Sequence, residues 1–155
     1  MTERWAVDAS VVAKFYLKDE DYSDVAAEVL NDFGDGLIDL IGPQFLLYEV
    51  ASAILGAVRR RRLDDAAADD ALRQFRTLGV RLVGDEATLG SMVGEAYDLA
   101  RRVGCGLYDA LYLAVGLAID LPLITGDARF YRNVSSQIGT LVWIGDYQSR
   151  VQTSR

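Results

Sequence analysis

The sequence predicts a three-layer α/β/α fold, with helices on both faces of a central parallel sheet of four to five strands. Two observations point there. Short apolar runs alternate along the chain with longer segments of helical periodicity, the pattern that lays strands parallel and sends helices across the sheet. Glycine and proline fall singly between these segments, as punctuation rather than as flexible tracts. The 155 residues fit one domain, 1–155, and the 51% that are hydrophobic suffice for a core.

The elements follow in order. Trp5 to Asp8, an apolar run ending in an acid, is the first strand. Val11 to Leu17 is a short helix. Tyr22 to Phe33 is a second helix, with Val25, Val29 and Phe33 on one face and Gly34 and Gly36 after it. Leu37 to Ile41 is the second strand. Pro43, a residue favoured in a helix's first turn, opens a long helix to about Arg62, striped by Leu47, Val50, Ala51, Ile54 and Val58. Asp64 and Asp65 begin a helix that closes at Gly79, and Val80 to Val83 is the third strand. Glu86 to Val103 is helical, with Gly104 as its C-terminal cap. Tyr108 to Asp120 is apolar almost all round and therefore a buried helix. Leu121 to Thr125 is the fourth strand, Ala128 to Asn133 a short helix, and Leu141 to Ile144 the last strand.

Composition narrows the chemistry. There is no histidine, which excludes histidine acid–base pairs, Ser-His-Asp triads and His-ligated zinc. The lone Cys105 excludes an internal disulfide and thiolate zinc, and is read as inert. A metal would have to be held by oxygen, which favours Mg²⁺, with Mn²⁺ as a substitute. The N-terminus shows no basic head before an apolar run, and the longest apolar run, Leu111 to Ile119, is far short of the ~20 residues of a membrane span. The expectation is a cytoplasmic protein without membrane contact. The formal net charge of -7 runs against nucleic-acid binding, an objection that a metal at an acidic centre partly offsets.

Four acids stand where this fold places active sites, outside the carboxyl ends of the strands. Asp8 follows Trp5-Ala6-Val7, and Asp127 follows Leu123-Ile124-Thr125-Gly126. Glu49 lies in the first turns of the helix after strand two, opposite its aliphatic stripe and beside Phe45, Ser52 and Gly56. Asp109 opens the buried helix. Four converging carboxylates repel one another, so at least one pKa should rise, and a divalent cation would supply the missing counter-charge. Such an ion lowers the pKa of water and stabilises both the attacking and the leaving oxygen of a phosphodiester. Ser10 and Thr125, each two residues from one of these acids, could hold a metal-bound water or orient a carboxylate. Each acid also has a plain reading: Asp8 and Asp109 as helix N-caps, Glu49 on a solvated face, Asp127 as a turn residue.

The runs Val7-Asp8-Ala9-Ser10, Pro43 to Ala51, Tyr108 to Ala114 and Leu123 to Phe130, in this order and spacing, resemble the PIN domain family over nearly the whole chain. The compact size resembles VapC, the toxin of a two-gene toxin–antitoxin pair. The resemblance implies a Mg²⁺-dependent endoribonuclease with a five-stranded parallel sheet, usually a homodimer, restrained by a small antitoxin. Its metal-site acids match Asp8, Glu49, Asp109 and Asp127, with Asp8 and Asp109 at the positions most often assigned as direct ligands. Family members often carry Asn three residues after the helix glutamate, where this chain has Ser52.

Other readings are weaker. A catalytically silent PIN-like interaction module is the main alternative. A phospho-acceptor receiver expects a lysine after a late strand, absent from Leu123 to Phe130. A haloacid-dehalogenase-like phosphatase needs a second Asp at position 10, which is Ser. Arg59-Arg60-Arg61-Arg62 could grip RNA phosphates, but cations also suit a helix C-terminus and stay solvated there. Tyr16, Tyr48, Tyr108 and Tyr112 are read as core residues in preference to base-stacking platforms.

Overall fold

The computed structural model describes residues 2–150; Met1 and residues 151–155, part of the expected domain, lie outside the described residues. Five strands form one sheet: β1 (Glu3–Val7), β2 (Ile38–Pro43), β3 (Arg81–Val83), β4 (Leu123–Thr125) and β5 (Leu141–Trp143). Their order is β3-β2-β1-β4-β5, and every pairing is parallel. Seven α-helices cover it: α1 (Ala9–Lys14), α2 (Ser23–Gly34), α3 (Leu46–Arg59), α4 (Asp65–Thr77), α5 (Glu86–Val103), α6 (Leu107–Ala118) and α7 (Ala128–Val134). The architecture is the expected three-layer α/β/α. β1 is central because both of its faces and both of its edges are covered: Trp5, Ala6 and Val7 are buried, with β2 on one side and β4 on the other. The direction of chain progression reverses between β1 and β4, and this switch point is where such sheets open a crevice.

Several boundaries depart from expectation, and three of them have a plain local reason. Pro43 does not open α3 but ends β2, paired with Val83. Its missing N–H costs nothing there, because the ladder continues through the Gln44 N–H donating to Val83 O at 3.2 Å. The first helix starts two residues early, at Ala9, because Asp8 leaves the strand and caps it. α3 stops at Arg59 rather than Arg62, since Arg61 takes a left-handed φ of 57° that a helix cannot continue.

α6 is buried from Ala110 to Gly116, as its composition predicts, although Tyr108 and Leu117 at its ends are exposed. It packs against β1, β2, β4 and α5. Gly116 permits the approach to the sheet: a Cβ there would lie 3.3 Å from Leu121 O and 3.6 Å from the Ala6 Cβ. Two polar braces hold loops down. Arg62 grips Asp19 at 2.7 Å and Glu20 at 3.2 Å, and Glu20 also pairs with the buried Lys14 at 3.3 Å. Arg62 is therefore a tie between the end of α3 and the loop after α1, not a free cation. Asp32, fully buried in α2, accepts from the Tyr147 hydroxyl at 2.6 Å, the Ser149 hydroxyl at 2.9 Å and the Arg150 N–H at 2.6 Å. Burial works against that carboxylate, but these donors outweigh it and hold its pKa below the ordinary aspartate value. No helix among the described residues is long and apolar enough to cross a membrane.

Candidate active site

Where β1 ends, the chain turns at Asp8 with extended backbone, so the carboxylate stands at the carboxyl edge of the sheet. Asp8 is buried, at 4% exposure, and both of its oxygens are occupied. Oδ1 accepts from the Ser10 N–H at 3.0 Å and from the Ser10 hydroxyl; Oδ2 accepts from the Thr125 hydroxyl at 2.6 Å. Ser10 Oγ in turn accepts from the Gly126 N–H at 2.8 Å, and Thr125 Oγ1 from the Asp127 N–H at 3.1 Å. These bonds join the turn after β1 to the turn after β4. Burial pushes Asp8 up to about 7; the Ser10 and Thr125 hydrogen bonds oppose the rise, and the charge of Asp109 adds a smaller push. Repulsion among the acids was expected to be the cause, but desolvation is the larger one.

Asp109 is the third residue of α6, whose N-cap, Gly106, has no side chain to offer the helix. Half-buried, Asp109 rises to about 6, first through burial, then through the charge of Asp127 and more weakly that of Glu49; a hydrogen bond from the Gly106 backbone opposes the shift. Glu49, in the first turn of α3, is also half-buried and raised by burial, while the Tyr112 hydroxyl works the other way. Tyr112 is buried and held as a neutral phenol, raised by burial and then by Glu49. Its hydroxyl is near enough to Glu49 to feel that charge, yet it closes no hydrogen bond of ordinary geometry. Asp127 is exposed and caps α7, accepting from the Phe130 N–H at 3.0 Å.

The four acids are linked by charge through Asp109. Asp8 feels Asp109, and Asp109 feels Asp127 and Glu49. The charges that push hardest on Asp8 and Asp109 are those of other acids. Among the described residues, no three acids are arranged to hold one ion between them. Two open cavities adjoin these acids. One, of about 470 Å³, is lined by Cys105, Gly106, Asp109, Asp127, Arg129 and Asn133 among others. The second, of about 600 Å³, follows α3 from Glu49 past Ser52 and Gly56 to Arg59 and Arg60. Ser52 thus occupies the cleft side of α3, with Glu49 and the helix's last arginines.

Sequence reasoning missed several neighbours of the site. Tyr112 stands three residues after Asp109, a spacing that puts both on one helix face. Arg129 stands two residues after Asp127 and lines a cavity with it. Cys105 lines the same cavity; burial and then Asp109 push its thiol up to about 11, so it stays protonated. Tyr48 and Tyr108, read as core residues, are 76% and 57% exposed. Each sits in the first turn of its helix, ahead of the buried apolar segment, where periodicity carries little information.

A family model of the PIN domain matches residues 6–134. Among the solved structures that match is the crystal structure of PAE2754 from Pyrobaculum aerophilum, 20% identical, with a TM-score of 0.64 over 94% of this chain and 93% of that one. At that identity the likeness speaks for the fold. No curated protein matches the chain. Since the family model runs from β1 to the end of α7 and takes in all four acids, the chain belongs to the PIN domain family.

Proposed function

We propose that the chain is a divalent-metal-dependent endoribonuclease that hydrolyses RNA phosphodiester bonds, and that it is the VapC-type toxin of a toxin–antitoxin pair. The observation that carries this reading is the coupling of the acids: Asp109 acts on Asp8 and is itself acted on by Asp127 and Glu49, and Asp8, Glu49 and Asp109 are all held above their ordinary pKa values. Such a cluster suits a bound cation or a phosphate carried with one. PIN domains are generally nuclease domains and generally use divalent metals.

The residues fit Mg²⁺. Every donor is an oxygen, and the buried Tyr112 hydroxyl leaves an unclosed polar atom facing the acids. Asp8, Asp109, Glu49 and Asp127 would hold the ion. When bound, it polarises phosphate and water as a Lewis acid. The chain's own groups do the rest. Ser10 and Thr125 fix both oxygens of Asp8, so that its carboxylate is oriented before substrate arrives. Tyr112 lies near Glu49 and favours its ionised form. Partners on this reading are an RNA substrate, a second copy in a homodimer, and a small antitoxin whose tail offers an arginine to the acids.

A catalytically silent interaction module is favoured by one observation, the absence of three acids in position to share an ion among the described residues. Against it, Mg²⁺ commonly takes one or two carboxylates and completes its shell with water and substrate phosphate. Cleavage decides. Asp8→Asn and Asp109→Asn keep the side-chain shape but remove the charge, and each is expected to abolish Mg²⁺-dependent RNA cleavage with the circular dichroism spectrum intact. Expression of the wild-type chain alone is expected to arrest growth, and either Asn variant to relieve the arrest. Cleavage near wild type by either variant, after contaminating nuclease is excluded, overturns the metal-centre reading; harmless expression of folded wild type overturns the toxin reading.

A further inference from the structure

We propose that the cavity beside Asp109 and Asp127 receives the nucleotide flanking the scissile phosphate of a single RNA strand, and that Arg129 binds that nucleotide's own phosphate. The inference rests on the nuclease reading and names a substrate subsite within it. The cavity's volume, about 470 Å³, falls in the range of sites that enclose a small ligand. Two of the candidate-site acids form part of its wall, so whatever enters lies directly beside the crevice.

Arg129 is the cation in that wall, and it closes no ion pair among the described residues, although two carboxylates share the cavity with it. Arg62 and Arg150, by contrast, are each committed to acidic side chains. A guanidinium left open in an acidic cavity offers a planar fork that matches phosphate oxygens two at a time. Asn133 stands one helical turn further along α7, on the same face, and lines the same cavity. Its amide both donates and accepts, which suits a ribose hydroxyl or a base edge. A space for one nucleotide admits a base only when it is free of its pairing partner, which points to a single-stranded segment.

The test is steady-state cleavage, in Mg²⁺, of a single-stranded oligoribonucleotide that the wild-type protein cuts, across a series of salt concentrations. Arg129→Gln is expected to raise KM about tenfold, as loss of a charge-assisted contact implies, while kcat changes much less. The slope of log KM against log salt is expected to flatten by about 0.7, the signature of one lost single-strand phosphate contact. Arg132→Gln removes the same charge from the same helix outside the cavity and is expected to leave that slope alone. Arg129→Lys is expected to keep the slope but raise KM, because the point charge survives and the fork does not; it carries the test if the Gln variant folds poorly. If the wild type cuts RNA while Arg129→Gln keeps its KM and salt slope, or loses kcat alone, the subsite is overturned and the nuclease reading stands. If the wild type cuts no single-stranded RNA, both fall.

Discussion

Asp8 carries two duties that pull its chemistry apart. As the N-cap of α1 it is best ionised, accepting from the Ser10 N–H; as a side chain at 4% exposure it is best neutral. The outcome is a carboxyl pushed to about 7, with burial the main cause. The unfolded chain ionises this group near 3.8, so folding costs free energy whenever the pH lies above the folded value. The cost shrinks as the pH falls from about 7 toward about 4 and is gone below that. Asp8→Asn keeps a capping side chain and removes the ionisation. In EDTA at pH 8 it should raise Tm by about 3 °C, corresponding to roughly 1 kcal/mol in a chain of this size. The margin over wild type should narrow as the melt is repeated at pH 5. A variant less stable than wild type at pH 8, or a margin that ignores pH, would show that the cap outweighs the burial.

At the scale of elements, the turn after β4 is the tightest joint of the site. A Cβ on Gly126 would fall 2.6 Å from the Lys14 Cε and 3.2 Å from Ser10 O. Lys14 is buried and tied to Glu20, and Ser10 O belongs to the backbone, so neither yields freely. Gly126→Ala should therefore lower Tm by several degrees, in line with an overpacking cost of about 1–3 kcal/mol, and weaken cleavage by displacing Ser10 and Thr125 from Asp8. A melt and a cleavage assay of that variant check both effects. Most elements could be read in the sequence, because helical stripes and short apolar runs report burial directly: α2, α5 and β5 lie within a residue or two of expectation. What misled was terminal chemistry. Pro43 is as compatible with the last residue of a strand as with the first of a helix, and only the register against β3 decides between them. The acids were legible because each follows or precedes a recognisable element. Tyr112 and Arg129 were not, since the place of Tyr112 depends on the fold bringing α6 against Glu49 of α3, and that of Arg129 on α7 lying beside the start of α6.

For the molecule as a whole, the proposed nuclease role asks a chain of net charge -7 to handle a polyanion. Arg59, Arg60 and Arg129 line the two cavities that adjoin the acids, so positive charge lies close to the crevice even though the total is negative. On the same reading, the acids make the folded state a better cation binder than the unfolded chain. Millimolar Mg²⁺ or Mn²⁺ should raise the wild-type Tm above its value in EDTA, by mass action on the folded state, with about 2.7 kcal/mol available at a hundredfold excess over Kd. Asp8→Asn should lose most of that response. An unmoved wild-type melt in both metals would count against an ion at these acids.

The pairing of β1 with β4 also has a consequence in time. Asp8 leaves the ribosome before the Thr125 hydroxyl that holds its second oxygen, which follows 117 residues later. Until β4 has been synthesised and has found its place beside β1, the first turn has no partner and the crevice has no second wall. Domains form during synthesis from the N-terminal end, and contacts this distant in sequence close last. An interrupted translation product that stops before residue 125 therefore carries Asp8, Glu49 and Asp109 without the strand that assembles them. Until β4 has been made, a nascent chain lacks the joint between the turn after β1 and the turn after β4.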